Sequence, residues 1–188
     1  MLGRRAADIW KVVMPDPFTD IDATPPEMID IIATALETRA ADPSMLPVID
    51  GYLDAGCDII ALVDPMTSQI GPDHFKEFVT PGCTELFDYI RDKGKLSSFF
   101  VCGHAMKNLE VMCECGPDNL SVDENIPLDV VKRVCLNRNV SFGGNLPLTT
   151  ALLNGTEETN SILAYEAMKT CGNKGYLVAP GCDLPYDT

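Results

Sequence analysis

Five short apolar runs, each separated from the next by a helix-like segment, constrain the fold of this chain more than any other feature of its sequence. The apolar runs predict strands at 57–63, 96–102, 119–123, 139–143 and 176–179. The segments between them predict helices at about 72–93, 106–115, 127–136 and 157–171. Nearly continuous apolar strands joined by helices are typical of a parallel sheet covered by those helices. We therefore predict an α/β fold with five parallel strands.

The residues before the first strand divide into an irregular segment and two helices. Residues 1–23 carry prolines and scattered aspartates and are expected to be irregular. Thr24 precedes Pro25-Pro26-Glu27 and predicts the start of a helix that runs to about Ala41. A second helix is expected at about 44–55. The sequence thus predicts one domain over residues 24–188.

Charge and hydropathy exclude several classes of function. The net charge is −14, which disfavours nucleic-acid binding because that requires a surplus of Lys and Arg. No run of about 18 apolar residues is present, so no membrane span is expected. No apolar stretch follows Arg4 and Arg5 to make a secretory signal. A cytoplasmic protein with reduced cysteines is the expectation, although the chain has eight of them.

Polar or special residues stand where each predicted strand ends. Parallel sheets place their chemistry at the carboxyl ends of the strands, in open sheets and in barrels alike. We therefore expect one functional edge formed by the five strand-end residues Asp64, Cys102, Asp123, Asn145 and Cys182.

These residue types suggest a metal site. Zinc binds cysteine, histidine and carboxylate ligands, and a catalytic zinc keeps one position open. Cys102 and Cys182 would supply two thiolates, Asp123 or Glu124 an oxygen, and His104 a nitrogen. Each residue also has a plainer interpretation.

In that plainer interpretation the cysteines are small buried hydrophobes. The acidic pair Asp123-Glu124 would cap the following helix, and His104 would be a surface or capping residue.

Short motifs along the chain resemble those of a known superfamily. They are Gly56-Cys57-Asp58-Ile59-Ile60, Asp64-Pro65, Gly71-Pro72, Val101-Cys102-Gly103, Ser121-Val122-Asp123-Glu124, Gly143-Gly144-Asn145, Gly155-Thr156 and Ala179-Pro180-Gly181-Cys182-Asp183-Leu184-Pro185. In order and spacing this set resembles the uroporphyrinogen decarboxylase superfamily. Within it the chain is most similar to methyltransferases that move a methyl group from a corrinoid protein to a thiol or folate acceptor, in one-carbon metabolism such as methanogenesis.

The resemblance implies a fold and a set of partners. The superfamily fold is a (β/α)8 barrel, and the five strands here would be its C-terminal part. The implied partners are a corrinoid protein, a small-molecule methyl acceptor and a polypeptide that supplies the N-terminal barrel strands. A half-barrel leaves strand edges unpaired, which is unfavourable for folding.

The resemblance also implies roles for the strand-end residues. Decarboxylases of the superfamily carry Gly-His near the last strand, where this chain has Gly181-Cys182. The methyltransferases carry His-x-Cys at the earlier strand, where this chain has Phe100 and Cys102. The implied zinc would hold the methyl acceptor at its open position.

Two further roles follow for that reaction. Asp64 would protonate a folate acceptor. Asp64 and Asn145 would bind acceptor or corrinoid groups, unless they only cap loops. A metal-free decarboxylase-like lyase and a non-catalytic barrel fragment that binds a partner are the alternatives.

Overall fold

The architecture is one curled parallel sheet with helices packed on one face. A computed structural model describes residues 45–184 of the chain. The expectations for residues 1–23 and for the helix at 24–41 lie outside the described residues.

The strands confirm the predicted alternation. They are β1 (Ile59–Val63), β2 (Leu96–Val101), β3 (Asn119–Val122), β4 (Ser141–Leu146) and β5 (Tyr176–Pro180). All neighbours pair in parallel, and the order across the sheet follows the chain order. Sequential parallel strands joined by helices are the repeating unit of a (β/α)8 barrel, and the chain forms part of such a barrel.

A helix precedes β1, and helices fill every connection between the strands. They are α1 (Met45–Asp54), α2 (Pro72–His74), α3 (Thr80–Asp92), α4 (Leu109–Glu114), α5 (Leu128–Asn137) and α6 (Glu157–Cys171). Helix α6 begins at the predicted cap, because the Thr156 hydroxyl accepts a hydrogen bond from the amide of Thr159. In the described part of the chain, no helix is long and apolar enough to cross a bilayer.

The predicted helix over 72–93 is interrupted. A π-helical turn, Phe75–Val79, separates α2 from α3, and the amide of Thr80 donates to the carbonyl of Phe75. Pro81 explains the change, because proline has no amide hydrogen and its ring crowds the carbonyl four residues earlier. A second π-helical turn, Leu148–Leu153, follows β4 and is not among the predicted elements.

The two faces of the sheet differ in what covers them. On the helix-covered face, Phe99, Val122 and Phe142 are fully buried in one continuous apolar core. On the opposite face, called here the open face, Ile59 is 55% exposed and its neighbour across the strands, Leu96, is 53% exposed. Exposed apolar residues on a strand face are what a barrel interior presents when the sheet is not closed.

Candidate functional site

The site lies at the edge of the sheet where the strands end, called here the carboxyl rim. Cys102 immediately follows β2, and Cys182 lies two residues after β5. Their sulfur atoms are 3.5 Å apart and both side chains are half-buried. The thiols expected to meet at this rim therefore do meet, across two intervening strands.

The carboxylate of Asp123, directly after β3, joins the two thiols. The Cys102 thiol donates to Asp123 Oδ2 at 3.2 Å, and the amide of Gly103 donates to the same oxygen at 3.1 Å. The other oxygen, Oδ1, accepts from the Asn125 amide at 2.9 Å and from the Asn125 side chain. Asp123 is 7% exposed, so these four donors supply the hydrogen bonds that burial takes away.

These contacts set the protonation of the pair. Burial, the hydrogen bond to Asp123 and the neighbouring Cys182 raise the pKa of Cys102 from its ordinary 9.0 to about 12. Burial opposes ionisation of Asp123, but the hydrogen bonds from Asn125, Cys102 and Gly103 outweigh it and lower the carboxyl pKa. At neutral pH the pair is therefore a thiol that donates to a carboxylate.

Asn145, at the rim end of β4, stabilises the loop after β3. Its side-chain nitrogen donates to the carbonyl of Asp123 at 3.1 Å and to the carbonyl of Ile126 at 2.6 Å. Both hydrogens of this nitrogen are thus used to hold the segment that carries Asp123. This is the loop-capping role that the sequence left open.

The remaining candidates are Glu124, His104 and Asp64. The Glu124 carboxylate accepts a hydrogen bond from the amide of Leu148. His104 is exposed and makes no hydrogen bond to Cys102, Cys182 or Asp123 within residues 45–184. Asp64 is half-buried after β1, and its carbonyl accepts from the Thr67 hydroxyl at 2.8 Å.

Glycines allow the rim segments to approach closely, and sequence reasoning gave them no role at the site. Gly144 has φ +111°, and a β-carbon there would lie 2.6 Å from the carbonyl oxygen of Val122. A β-carbon at Gly181 would lie 2.9 Å from the amide nitrogen of Glu124. Asn125 was missed as well, although an aspartate in a turn is known to accept a hydrogen bond from the backbone amide two residues on, as in an Asx-turn.

The donor types suit zinc, and the two sulfurs are already spaced like two zinc ligands, whereas the third candidate is engaged by hydrogen bonds. Two sulfurs bonded to one tetrahedral zinc lie about 3.8 Å apart, close to the separation of Cys102 and Cys182. The third candidate, Asp123, has both oxygens engaged by hydrogen-bond donors. Among the residues described, no group of three or more His, Cys, Asp or Glu side chains is arranged to hold a metal ion.

Sequence comparison relates the chain to known enzymes. The chain is 27% identical over 135 residues to the Methylcobamide:CoM methyltransferase MtbA of Methanosarcina acetivorans, covering 70% of this chain and 38% of that protein. It is 28% identical over 144 residues to a uroporphyrinogen decarboxylase of Rhodococcus opacus, covering 72% of this chain and 40% of that protein. The chain thus spans less than half the length of these relatives.

Structural comparison supports the barrel. A methyltransferase from Methanosarcina mazei superposes with a TM-score of 0.64 at 24% identity, covering 95% of this chain and 48% of that one. At this identity the match shows the fold alone. Residues 41–188 match the Uroporphyrinogen decarboxylase (URO-D) family. Since the match covers most of the sequence, the chain belongs to the uroporphyrinogen decarboxylase family.

Proposed function

We propose that this chain supplies the thiol-bearing rim of a methyltransferase that moves a methyl group from a corrinoid protein to a thiol or folate acceptor. The single observation that carries the proposal is the contact of Cys102, Cys182 and Asp123 at the carboxyl rim of the partial barrel. The similarity to a Methylcobamide:CoM methyltransferase supports a methylated corrinoid as donor and a small thiol as acceptor.

In this reaction a thiolate attacks the methyl carbon on the corrinoid cobalt. The new bond joins sulfur to carbon, and the electron pair of the cobalt–carbon bond remains on cobalt. The acceptor thiol must lose its proton first. Within this proposal Asp64 and Asn145 stand at the rim as acceptor- or corrinoid-binding groups, and Asp64 would protonate a folate acceptor. Asn145 would bind through its side-chain carbonyl, because its amide nitrogen is already engaged.

Zinc binding is the second part of the proposal. Cys102 and Cys182 would be two ligands, with Asp123 as the third in preference to Glu124 or His104. A cysteine ligand is a thiolate, so metal binding would remove the hydrogen that Cys102 donates and leave Asp123 Oδ2 with a free electron pair. A bound zinc ion would supply Lewis acidity that lowers the pKa of an acceptor thiol.

Metal content tests that part directly. The full chain would be loaded with zinc, desalted and measured by elemental analysis beside Cys182→Ala and Cys57→Ala. Cys57 lies before β1, at the opposite end of the strand from the rim, and serves as the matched control. Zinc should be lost in Cys182→Ala and kept in Cys57→Ala, and equal zinc in all three would refute the ligand assignment.

We also propose that residues 24–188 are barrel and that further strands pair with the two edges. The support is the apolar surface of those edges. Ile59 on β1 is 55% exposed, and Leu177 on β5 is 54% exposed. Helix α6, beside β5, shows an exposed stripe at Ile162, Tyr165 and Met168, which are 54%, 67% and 53% exposed. A polypeptide with the remaining strands of the barrel would cover these groups.

The catalytic test uses methylcobalamin as donor and coenzyme M or a reduced folate as acceptor. The assay is run under reducing conditions, because we propose that the protein is cytoplasmic. The full chain would be assayed alone and together with a polypeptide that carries the remaining barrel strands. The methylcobalamin absorbance should fall with the wild-type chain and should stay constant with Cys182→Ala. No demethylation in either mixture would refute the proposal.

A second candidate is a metal-free lyase, favoured by the match to a uroporphyrinogen decarboxylase. Release of CO2 from uroporphyrinogen by the same preparation would favour it. A third candidate, a non-catalytic fragment that binds a partner, would show neither reaction while still binding a corrinoid protein or the remaining barrel strands.

A further inference from the structure

The eight cysteines form no disulfide, yet several of them interact with one another: Cys83 with Cys115, and two further pairs. Cys102 and Cys182 are 3.5 Å apart at the rim, and Cys113 and Cys135 are 3.8 Å apart between α4 and α5. The two pairs have nearly equal sulfur separations. They differ in what surrounds them.

The pairs differ first in access. Cys113 is 5% exposed and Cys135 is 0% exposed, both inside the apolar core under the helices. Cys102 and Cys182 are half-buried at the carboxyl rim, beyond the strands that carry them. A small solute can reach the half-buried rim thiols without local unfolding. To reach the buried pair, α4 and α5 would have to separate.

The rim sulfurs are close enough for a disulfide to need only a short approach. A disulfide requires a sulfur–sulfur distance of about 2.05 Å, so the two atoms, which are 3.5 Å apart, must approach by about 1.5 Å. Gly181 is held in place, because its amide donates to the carbonyl of Leu146 at 2.9 Å. We therefore expect the approach to come from rotation of the Cys102 and Cys182 side chains, which lie beyond the ends of β2 and β5.

The cost of closure at Asp123 is small. A disulfide removes the Cys102 hydrogen that Asp123 Oδ2 accepts. The carboxylate keeps its hydrogen bonds from Gly103 and from both nitrogens of Asn125. No buried oxygen of that carboxylate is left without a donor.

We propose that Cys102 and Cys182 form a reversible disulfide when the chain meets a low-molecular-weight disulfide as oxidant. Cys182 attacks a sulfur of the oxidant as the thiolate, forming a mixed disulfide and releasing one small thiol. Cys102, whose thiol donates to Asp123 in the reduced chain, then loses that proton, attacks the Cys182 sulfur of the mixed disulfide and releases the second small thiol. The two cysteines lose two electrons and two protons, and the oxidant gains both as two thiols.

Formation of this bond would switch off any chemistry that needs either rim thiol. It needs only the two sulfur atoms and an oxidant, so it does not rest on the proposed methyl transfer. A failed methyltransferase assay would leave it standing, and a failed oxidation would leave the methyl-transfer proposal standing.

Peptide mapping of the full wild-type chain tests the proposal. The chain, freed of metal by a chelator, would be incubated with glutathione disulfide, alkylated and digested with trypsin. Cys102 is the sole cysteine in peptide 96–107, and Cys182 is the sole cysteine in peptide 175–188. The buried pair falls in other peptides, because Cys113 lies with Cys115 in peptide 108–132 and Cys135 lies in peptide 134–138.

The expected result is a cross-link between peptides 96–107 and 175–188, with the number of alkylated thiols falling from eight to six. Dithiothreitol should restore all eight, and Cys182→Ser should abolish the cross-link while the remaining cysteines stay alkylated. Glutathione attached separately to both rim cysteines, or a cross-link between peptides 108–132 and 134–138 alone, would overturn the proposal.

Discussion

The sulfur atoms of Cys102 and Cys182 lie 3.5 Å apart, although β3 and β4 separate the strands that precede them. Neighbouring strands are about 4.8 Å apart, so β2 and β5 would be about 14 Å apart in a flat sheet. The contact therefore reports the curl of the sheet and the inward path of the chain after each strand. Substitutions that disturb the contact between the two thiols should therefore change their reactivity or the stability of the fold.

Replacing Asp123 should make the Cys102 thiol more reactive. Burial is the largest cause of the raised pKa of Cys102, and the hydrogen bond to Asp123 and the Asp123 charge add to it. Asp123→Asn removes these last two contributions, so the pKa should fall below about 12 while burial keeps it above 9.0. More thiolate is then present at pH 8, and alkylation by iodoacetamide should be faster. Mass spectrometry of peptide 96–107 in the presence of a chelator measures the rate. Asp129→Asn, at an exposed position of α5, controls for the change in net charge. Equal alkylation rates in both variants would contradict the assignment.

The stability supplied by Cys102 should disappear at alkaline pH. Its pKa is higher in the folded chain than the ordinary 9.0, so folding favours the protonated thiol. The contribution is complete below pH 9.0 and is lost as the pH rises toward about 12, because the unfolded chain releases this proton first. Urea unfolding of wild type and Cys102→Ala, with chelator, should therefore give curves that converge as the pH rises. A gap that stays constant from pH 8 to pH 11 would be inconsistent with the raised pKa.

Gly144 should tolerate alanine poorly. Its φ of +111° and the 2.6 Å approach of a β-carbon to the Val122 carbonyl predict a loss of about 2–4 kcal/mol in the free energy of unfolding. Gly56 is the matched control, since it has φ +89° but nothing within 4 Å of a β-carbon. Gly56→Ala should cost only the strain of about 1–2 kcal/mol. Equal losses in denaturant unfolding would show that contact with Val122 is unimportant.

Removal of the Asn145 side chain should loosen the loop that carries Asp123. Asn145→Ala removes the side-chain donor to the carbonyls of Asp123 and Ile126, although the Asp123 carbonyl keeps the Ile126 amide at 3.2 Å. The expected loss is about 1–3 kcal/mol. Asn154 also donates to a backbone carbonyl, at 2.9 Å from Thr149, but at an exposed position. Asn154→Ala should therefore cost less, about 0.5 kcal/mol. A smaller loss for Asn145→Ala than for Asn154→Ala would argue against a role for Asn145 in holding the loop that carries Asp123.

Elements with strong local signals were predicted with bounds close to those observed. The strand predicted at 96–102 runs from Leu96 to Val101, and the helix predicted at 157–171 has those bounds. Apolar runs, proline, glycine and the Thr156 cap are properties of neighbouring residues, so the chain carries this information locally. The π-helical turn at Phe75–Val79 was missed because it depends on how Pro81 is accommodated in three dimensions.

The placement of Cys102, Asp123 and Cys182 at strand ends on one rim follows from the sequence alone, because parallel strands point the same way. How the three side chains combine depends on the tertiary structure. The curl of the sheet brings the two thiols into contact, and four donors hold Asp123 as the acceptor for one of them. Glu124, one residue away, instead binds the amide of Leu148. Such choices depend on distances between segments far apart in the chain, and no local pattern encodes them.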